Sequence, residues 1–396
     1  MRMRIIVIII AVALVAIAAG LYVYHSGGGA DYAEAGTIAQ GTKDFKDLSD
    51  RFADLAKKKG AVYAYEILKR AAIPANTDLH LLGHVVGDEL YKQKGVGGIA
   101  YCTQDFRNAC SHAVVIGALN DFGSAALPKI DEACHRAPGG PGAYTMCYHG
   151  LGHGVFAFFN YDFPKTVDFC KKMGTPEYHD RQYVECVGGS IMELMGGGAH
   201  DPSDWQIARD KYLTSPLAPC MSSLVPEEAK GICLTYLTPR LWQEVGIELG
   251  HPDPSQFGKA FKLCDAIPQS KLELRDACFG GFGKEFPALA SARDIRDLTQ
   301  LSDTSLHDMI TWCELAPGER AQESCLGSTL RSLFWGGENN PDLSFRFCAA
   351  VKDDAPLQAA CYGILAGEIS HYLTPDARAP LCARLPQAAQ NICRSR

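Results

Sequence analysis

The chain runs to 396 residues, 47% of them hydrophobic, with 38 Lys and Arg against 45 Asp and Glu for a net charge of −7. An acidic balance without any basic block excludes nucleic acid as the main partner. The length allows two globular domains or one continuous repeat array.

Arg2 and Arg4 precede an uncharged apolar run, Ile5–Val23, that just suffices to span a bilayer as a helix. The two arginines favour a short cytoplasmic end with the rest of the chain outside. Ala16, Ala18 and Ala19 offer small residues for signal cleavage, which is the rival interpretation. The run continues through Leu21 to Tyr24, so an uncleaved anchor is favoured, and no cysteine follows it as a lipoprotein would need. Residues 1–25 are therefore expected to be a transmembrane anchor or signal segment, with the membrane as a partner. Residues 26–41, which open SGGGADYAEAG, read as a flexible linker. On either interpretation the body of the chain is exported, and the anchored form lies on the periplasmic or cell-surface side.

Residues 42–396 read as one cysteine-rich α-helical repeat domain. Thr42–Lys59 forms a polar amphipathic helix that caps its start. Beyond it, sixteen cysteines fall into eight near pairs: Cys102/Cys110, Cys134/Cys147, Cys170/Cys186, Cys220/Cys233, Cys264/Cys278, Cys313/Cys325, Cys348/Cys361 and Cys382/Cys393. Each pair encloses 7 to 15 residues, and successive pairs start 32 to 50 residues apart. No gap is the two-residue spacing of a zinc ribbon, a thioredoxin-type site or a haem attachment. Structural disulfides in an oxidising compartment are the expectation, each contributing roughly 3 kcal/mol by constraining the unfolded chain. A repeat of this length with two helical segments predicts an all-α fold, an α-solenoid of about eight helical hairpins, most of them braced by an intra-repeat disulfide. A first helix such as Pro164–Met173 ends near the first cysteine, and a second helix begins at the second. Aligned there, the segments include CSHAVVIG, CYHGLGHG, CVGGSIME, CFGGFGKE, CLGSTLRS and CYGILAGE. CLTYLTPR fits poorly, because Pro239 should break its helix. The recurrent Gly costs about 1 kcal/mol against Ala in a helix, and close approach of neighbouring helices is the reason offered for it. DLHLLGHV, with Asp78 in the cysteine position, starts the array without a bridge.

The same alignment exposes the chemistry. Two positions after the cysteine the first three repeats carry His80, His112 and His149, and four residues further on stand His84 and His153. Histidines four apart lie on one helix face at a metal-ligating spacing. Equivalent positions of stacked repeats lie side by side, so the five imidazoles should converge within residues 78–160. Asp88 is one turn beyond His84, and Asp88 or Glu89 is the candidate catalytic ligand or general base. Imidazole without thiolate suits one or two transition-metal ions such as zinc, iron or copper.

A weaker pattern puts Glu193, Glu285 and Glu368 seven residues after the cysteine, where an ion-paired face with Lys284 or Arg331 is expected. His200, His251, His307 and His371 are assigned to turns or helix ends. Pairing and repeat length, from about residue 98 onward, give an architecture similar to the cysteine-bridged helical-hairpin solenoids of exported repeat proteins. No consensus motif of those repeats is present. Two function classes follow. One is a membrane-anchored extracytoplasmic metalloprotein, a metal-dependent hydrolase or oxidase if it is an enzyme. The other is a non-catalytic scaffold whose concave face takes a protein, peptide, glycan or small-molecule ligand. HExxH and G-x-S-x-G are both absent from the sequence.

Overall fold

The computed structural model describes residues 32–138, 140–176, 180–196, 202–248, 253–296, 298–336, 341–352 and 354–394. The expected anchor, the start of the linker, His200 and His251 lie outside them. Among the described residues no helix is long and apolar enough to cross a membrane. They are all-helical, without a strand.

Short polar residues cap several of the helices. Asp44 caps α1 (Phe45–Lys59) by accepting from the Asp47 amide at 2.8 Å. Leu48, Phe52 and Ala56, one helical turn apart, bury the inner face of that helix against α2 (Ala61–Arg70) and α3 (Leu79–Lys94). Asp78 caps α3 through the Leu81 amide at 3.0 Å. The second half of the expected linker is packed. Ala33–Gly36 form a 3₁₀ turn, Glu34 binds Lys59 and Tyr63, and Arg51 reaches the carbonyls of Ile38 and Gln40.

From residue 95 onward the disulfides join neighbouring elements. Cys102–Cys110 ties the 3₁₀ segment Gly95–Tyr101 to α4 (Ala109–Phe122). Cys134–Cys147 ties α5 (Leu127–His135) to α6 (Gly140–Phe158), and Cys170–Cys186 ties α7 (Phe163–Cys170) to α8 (Arg181–Gly196). After α9 (Pro202–Tyr212), Cys220–Cys233 anchors α10 (Lys230–Tyr236). Then α11 (Thr238–Glu244) and α12 (Phe257–Phe261) lead to Cys264–Cys278 in α13 (Leu272–Ala290). Cys313–Cys325 joins α14 (Asp303–Glu314) to α15 (Glu319–Gly336), and Cys348–Cys361 joins α16 (Pro341–Ala350) to α17 (Ala355–Tyr372). Last, Cys382–Cys393 joins α18 (Pro375–Arg384) to α19 (Gln387–Arg394). All eight expected pairs form, at Cα separations of 5.4–5.9 Å. In α6, α8, α13, α15 and α17 the second cysteine lies a turn or more inside the helix, because the preceding loop is shorter than the spacing suggested. Pro239 does interrupt its segment, which divides into α10 and α11.

The longer helices α3, α4, α6, α8, α10, α13, α15 and α17 touch in succession. Glycines set how closely. A Cβ on Gly152 of α6 would stand 2.0 Å from the Cys186 carbonyl oxygen of α8, and one on Gly189 of α8 would stand 1.8 Å from that of His149. Only a hydrogen fits in either gap. Contacts far apart in sequence then bring residues 292–296 onto the start of the array. The Asn76 amide donates to the Ala292 carbonyl at 2.8 Å, Arg293 binds Asp78 at 2.6 Å, and Arg296 donates to the carbonyls of Leu68 and Ala71 at 3.2 and 2.5 Å.

Candidate metal centre

His80 and His84 lie one turn apart on α3, and their Nε2 atoms are 3.2 Å from each other. His112 of α4 completes a group of three whose ligating atoms all fall within 4.8 Å of one another. Two ligands on one tetrahedral ion at about 2.0–2.1 Å stand roughly 3–4 Å apart, so the α3 pair already has that spacing. His153 of α6 follows, with ring centres 6.0 Å from His84 and 5.7 Å from His112. His149 is 5.2 Å from His153 and 5.4 Å from His112. The five imidazoles expected to converge are together. His80 and His84 keep part of their surface open, whereas His112, His149 and His153 are buried.

Backbone and carboxylates aim these rings. The His80 Nδ1 lies 2.7 Å from the Phe106 carbonyl oxygen, which leaves Nε2 turned to His84. Phe106, Arg107 and Asn108 all have positive φ, a left-handed turn that costs non-glycine residues about 1–2 kcal/mol each. His153 Nδ1 lies 3.0 Å from Glu193 Oε2, and its buried Nε2 has no hydrogen-bond partner. Glu185 Oε2 lies 3.4 Å from His149 Nδ1, near enough for attraction but not aligned for a hydrogen bond. The Nε2 of His149 faces the Met192 sulfur at 3.4 Å. Both nitrogens of His112 are buried and unpartnered. Gly150 makes room for that ring, since a Cβ there would lie 2.6 Å from His112 Cα and Cδ2.

Burial favours the neutral form of three of these rings, His80, His112 and His149. It pushes His80 and His149 down to about 4, in spite of Asp78 and Glu185 respectively, and it pulls His112 well below its usual range. Neutral imidazole is the metal-binding form.

Asp88 lines the same cavity as His80, His84 and His153. Glu89 does not reach it. One residue on from Asp88, it sits on another side of the helix, buried and paired with Lys92 at 2.8 Å, and its place as a candidate base is withdrawn. His307 is exposed on α14 and His371 at the end of α17, both away from the cluster. The carboxylate pattern divides. Glu285 pairs with Lys284 and Glu368 with Arg331, as expected, but Glu193 joins the histidines. Glu185, Met192, Tyr236 and Arg107 escaped the sequence because no repeated spacing marks them.

The cluster opens on two adjoining cavities of about 310 and 260 Å³, which share His80, Arg107, Met192, Tyr236, Lys284 and Ile295. No protein-family model, curated protein or solved structure matches this chain.

Proposed function

We propose that this is a transition-metal protein of an exported, oxidising compartment, built as an α-solenoid whose first repeats hold the ion. His80, His84 and His112 are its ligands, and His153 stands ready as a fourth. The carrying observation is the buried imidazole nitrogen left without a partner on His112 and His153, beside a histidine pair already at ligand spacing. An unpartnered buried nitrogen is costly, and a cation among the rings would satisfy several at once. Glu193 on His153 has the carboxylate–histidine arrangement that orients a ligand ring. A divalent ion bound there would supply Lewis acidity, with Asp88 on the same cavity wall as the acid–base candidate. The cavity volumes suit a small molecule better than a folded partner. Disulfides throughout the chain support the oxidising compartment, and the succession of touching helices supports the solenoid.

Metal analysis of the protein, purified from an oxidising compartment without chelator, tests this. Stoichiometric zinc, iron, copper or nickel is expected, lost in His84→Ala and in His112→Ala and held 10- to 100-fold more weakly in Glu193→Gln. Replacing the exposed His307 by Ala should leave metal content unchanged. Wild-type protein that stays folded and binds no added metal would sink the proposal.

A further inference from the structure

The cavity wall facing the imidazoles is charged in a lopsided way. Around the His cluster stand carboxylates, Glu185, Glu193 and Asp88. On the lining common to the two cavities, Arg107 and Lys284 share one carboxylate, that of Glu285. Arg107 lies 3.3 Å from Glu285 Oε2 and Lys284 binds the other oxygen. Nearby, other cations pair one to one: Arg181 with Glu185, Arg331 with Glu368 and Arg293 with Asp78. Glu285 thus faces two cations, with Glu185 also acting on Lys284 through space, in a half-buried place where the side chains of Lys284 and Glu285 are 20% and 16% exposed. A buried net charge is expensive unless a counter-charge completes it.

The fold goes to some lengths to put those cations there. Arg107 sits in the left-handed turn 106–108, and its neighbour Phe106 supplies the carbonyl that aims His80. Lys284 lies over the Tyr236 ring at 4.5 Å. Both act on the histidines through space, Arg107 on His80 and Lys284 on His149, each lowering the proton affinity of the ring. The lining of the two cavities also includes the apolar side chains of Met192, Ile295, Leu298 and Ile232.

We propose that this cavity binds an organic monocarboxylate, with its carboxylate anchored on Lys284 and Arg107 and its apolar body along Met192 and Ile295. One negative charge suits two cations that share one carboxylate, and an arginine beside a lysine matches a carboxylate with a planar donor and a point charge. Tyr236, whose hydroxyl burial keeps protonated, is a further donor on the shared wall. The inference takes from the metal proposal only the direction in which the ligand's other end points, toward His80 and His84.

The test is calorimetric titration of metal-free full-length protein with benzoate, with its uncharged isostere benzamide and with inorganic phosphate. Working without metal separates this outcome from that of the metal proposal. Benzoate should bind and benzamide should bind at least tenfold more weakly. Lys284→Met and Arg107→Gln should each weaken benzoate at least tenfold, while Arg346→Gln, on the outer surface against Asp303, should not. Equal binding of benzoate and benzamide, no binding of benzoate, or full affinity in Lys284→Met would overturn the proposal. Phosphate displacing benzoate at equal concentration would overturn the carboxylate assignment. If either cavity variant fails to fold, the benzoate–benzamide comparison on wild-type protein decides alone.

Discussion

At the scale of single residues, the site is an argument about protons. Burial keeps His80 and His149 neutral in the folded chain down to about pH 4, whereas in the unfolded chain they take up protons near 6.5. Between these values the unfolded state binds more protons, so stability falls as pH falls through that window. Above about 6.5 the two states bind alike and these histidines add no pH dependence. Melting of the metal-free protein should therefore drop between pH 6.5 and 4, and His80→Gln with His149→Gln should flatten that part of the profile. An unchanged slope in the double variant would mean that these rings are protonated in the fold. Of the site residues, those legible in the sequence were the ones a repeat displays. HLLGH and HGLGH announce themselves through spacing, and His112 through alignment. Glu185 and Arg107 do not, because the first is placed by the approach of α8 to α6 and the second by a turn whose dihedral angles no composition reveals.

At the scale of elements, glycine decides how the site is walled. Gly152 and Gly189 face each other's helix across gaps that admit no methyl group, and that approach is what brings Glu185 and Glu193 of α8 to the histidines of α6. Gly189→Ala should cost about 1–3 kcal/mol or more through forced separation of the two helices. Gly367 of α17 has open space where its Cβ would go, so Gly367→Ala should gain up to about 1 kcal/mol of helix propensity. Denaturant melts of the two variants check the contrast; equal effects would show that the close approach is not what holds α6 and α8. Of the glycines that recur two positions after the cysteine, Gly188, Gly280 and Gly327 meet neighbouring side chains at 2.6–3.0 Å and Gly363 does not. The close backbone approaches at Gly152 and Gly189 fall at other positions. Helix starts were not readable from the sequence, since a cysteine a turn inside a helix and a cysteine at its first residue leave the same spacing.

At the scale of the whole molecule, the contacts that bring residues 292–296 onto 68–78 are invisible in a repeat pattern, which encodes neighbours only. Arg296 is central to them, because it satisfies two carbonyls at the end of α2. Arg296→Ala should cost about 1–3 kcal/mol from those orphaned acceptors and should speed amide exchange in α2 and α3 relative to α17. Uniform exchange across all three helices would mean that the two segments do not brace each other.

These contacts also fix an order in time. The imidazole wall is complete at His153; of the two cations on the lining Arg107 is already made by then, whereas Lys284 comes only later. At roughly 5–20 residues per second, a chain made from its N-terminus spends on the order of 10 s between His153 and Lys284. During that interval the histidines exist without Lys284 and Glu285. Arg293 and Arg296 arrive just afterwards and bind Asp78 and the carbonyls of Leu68 and Ala71. On the proposed function, an ion would enter most easily before residues 284–296 are made.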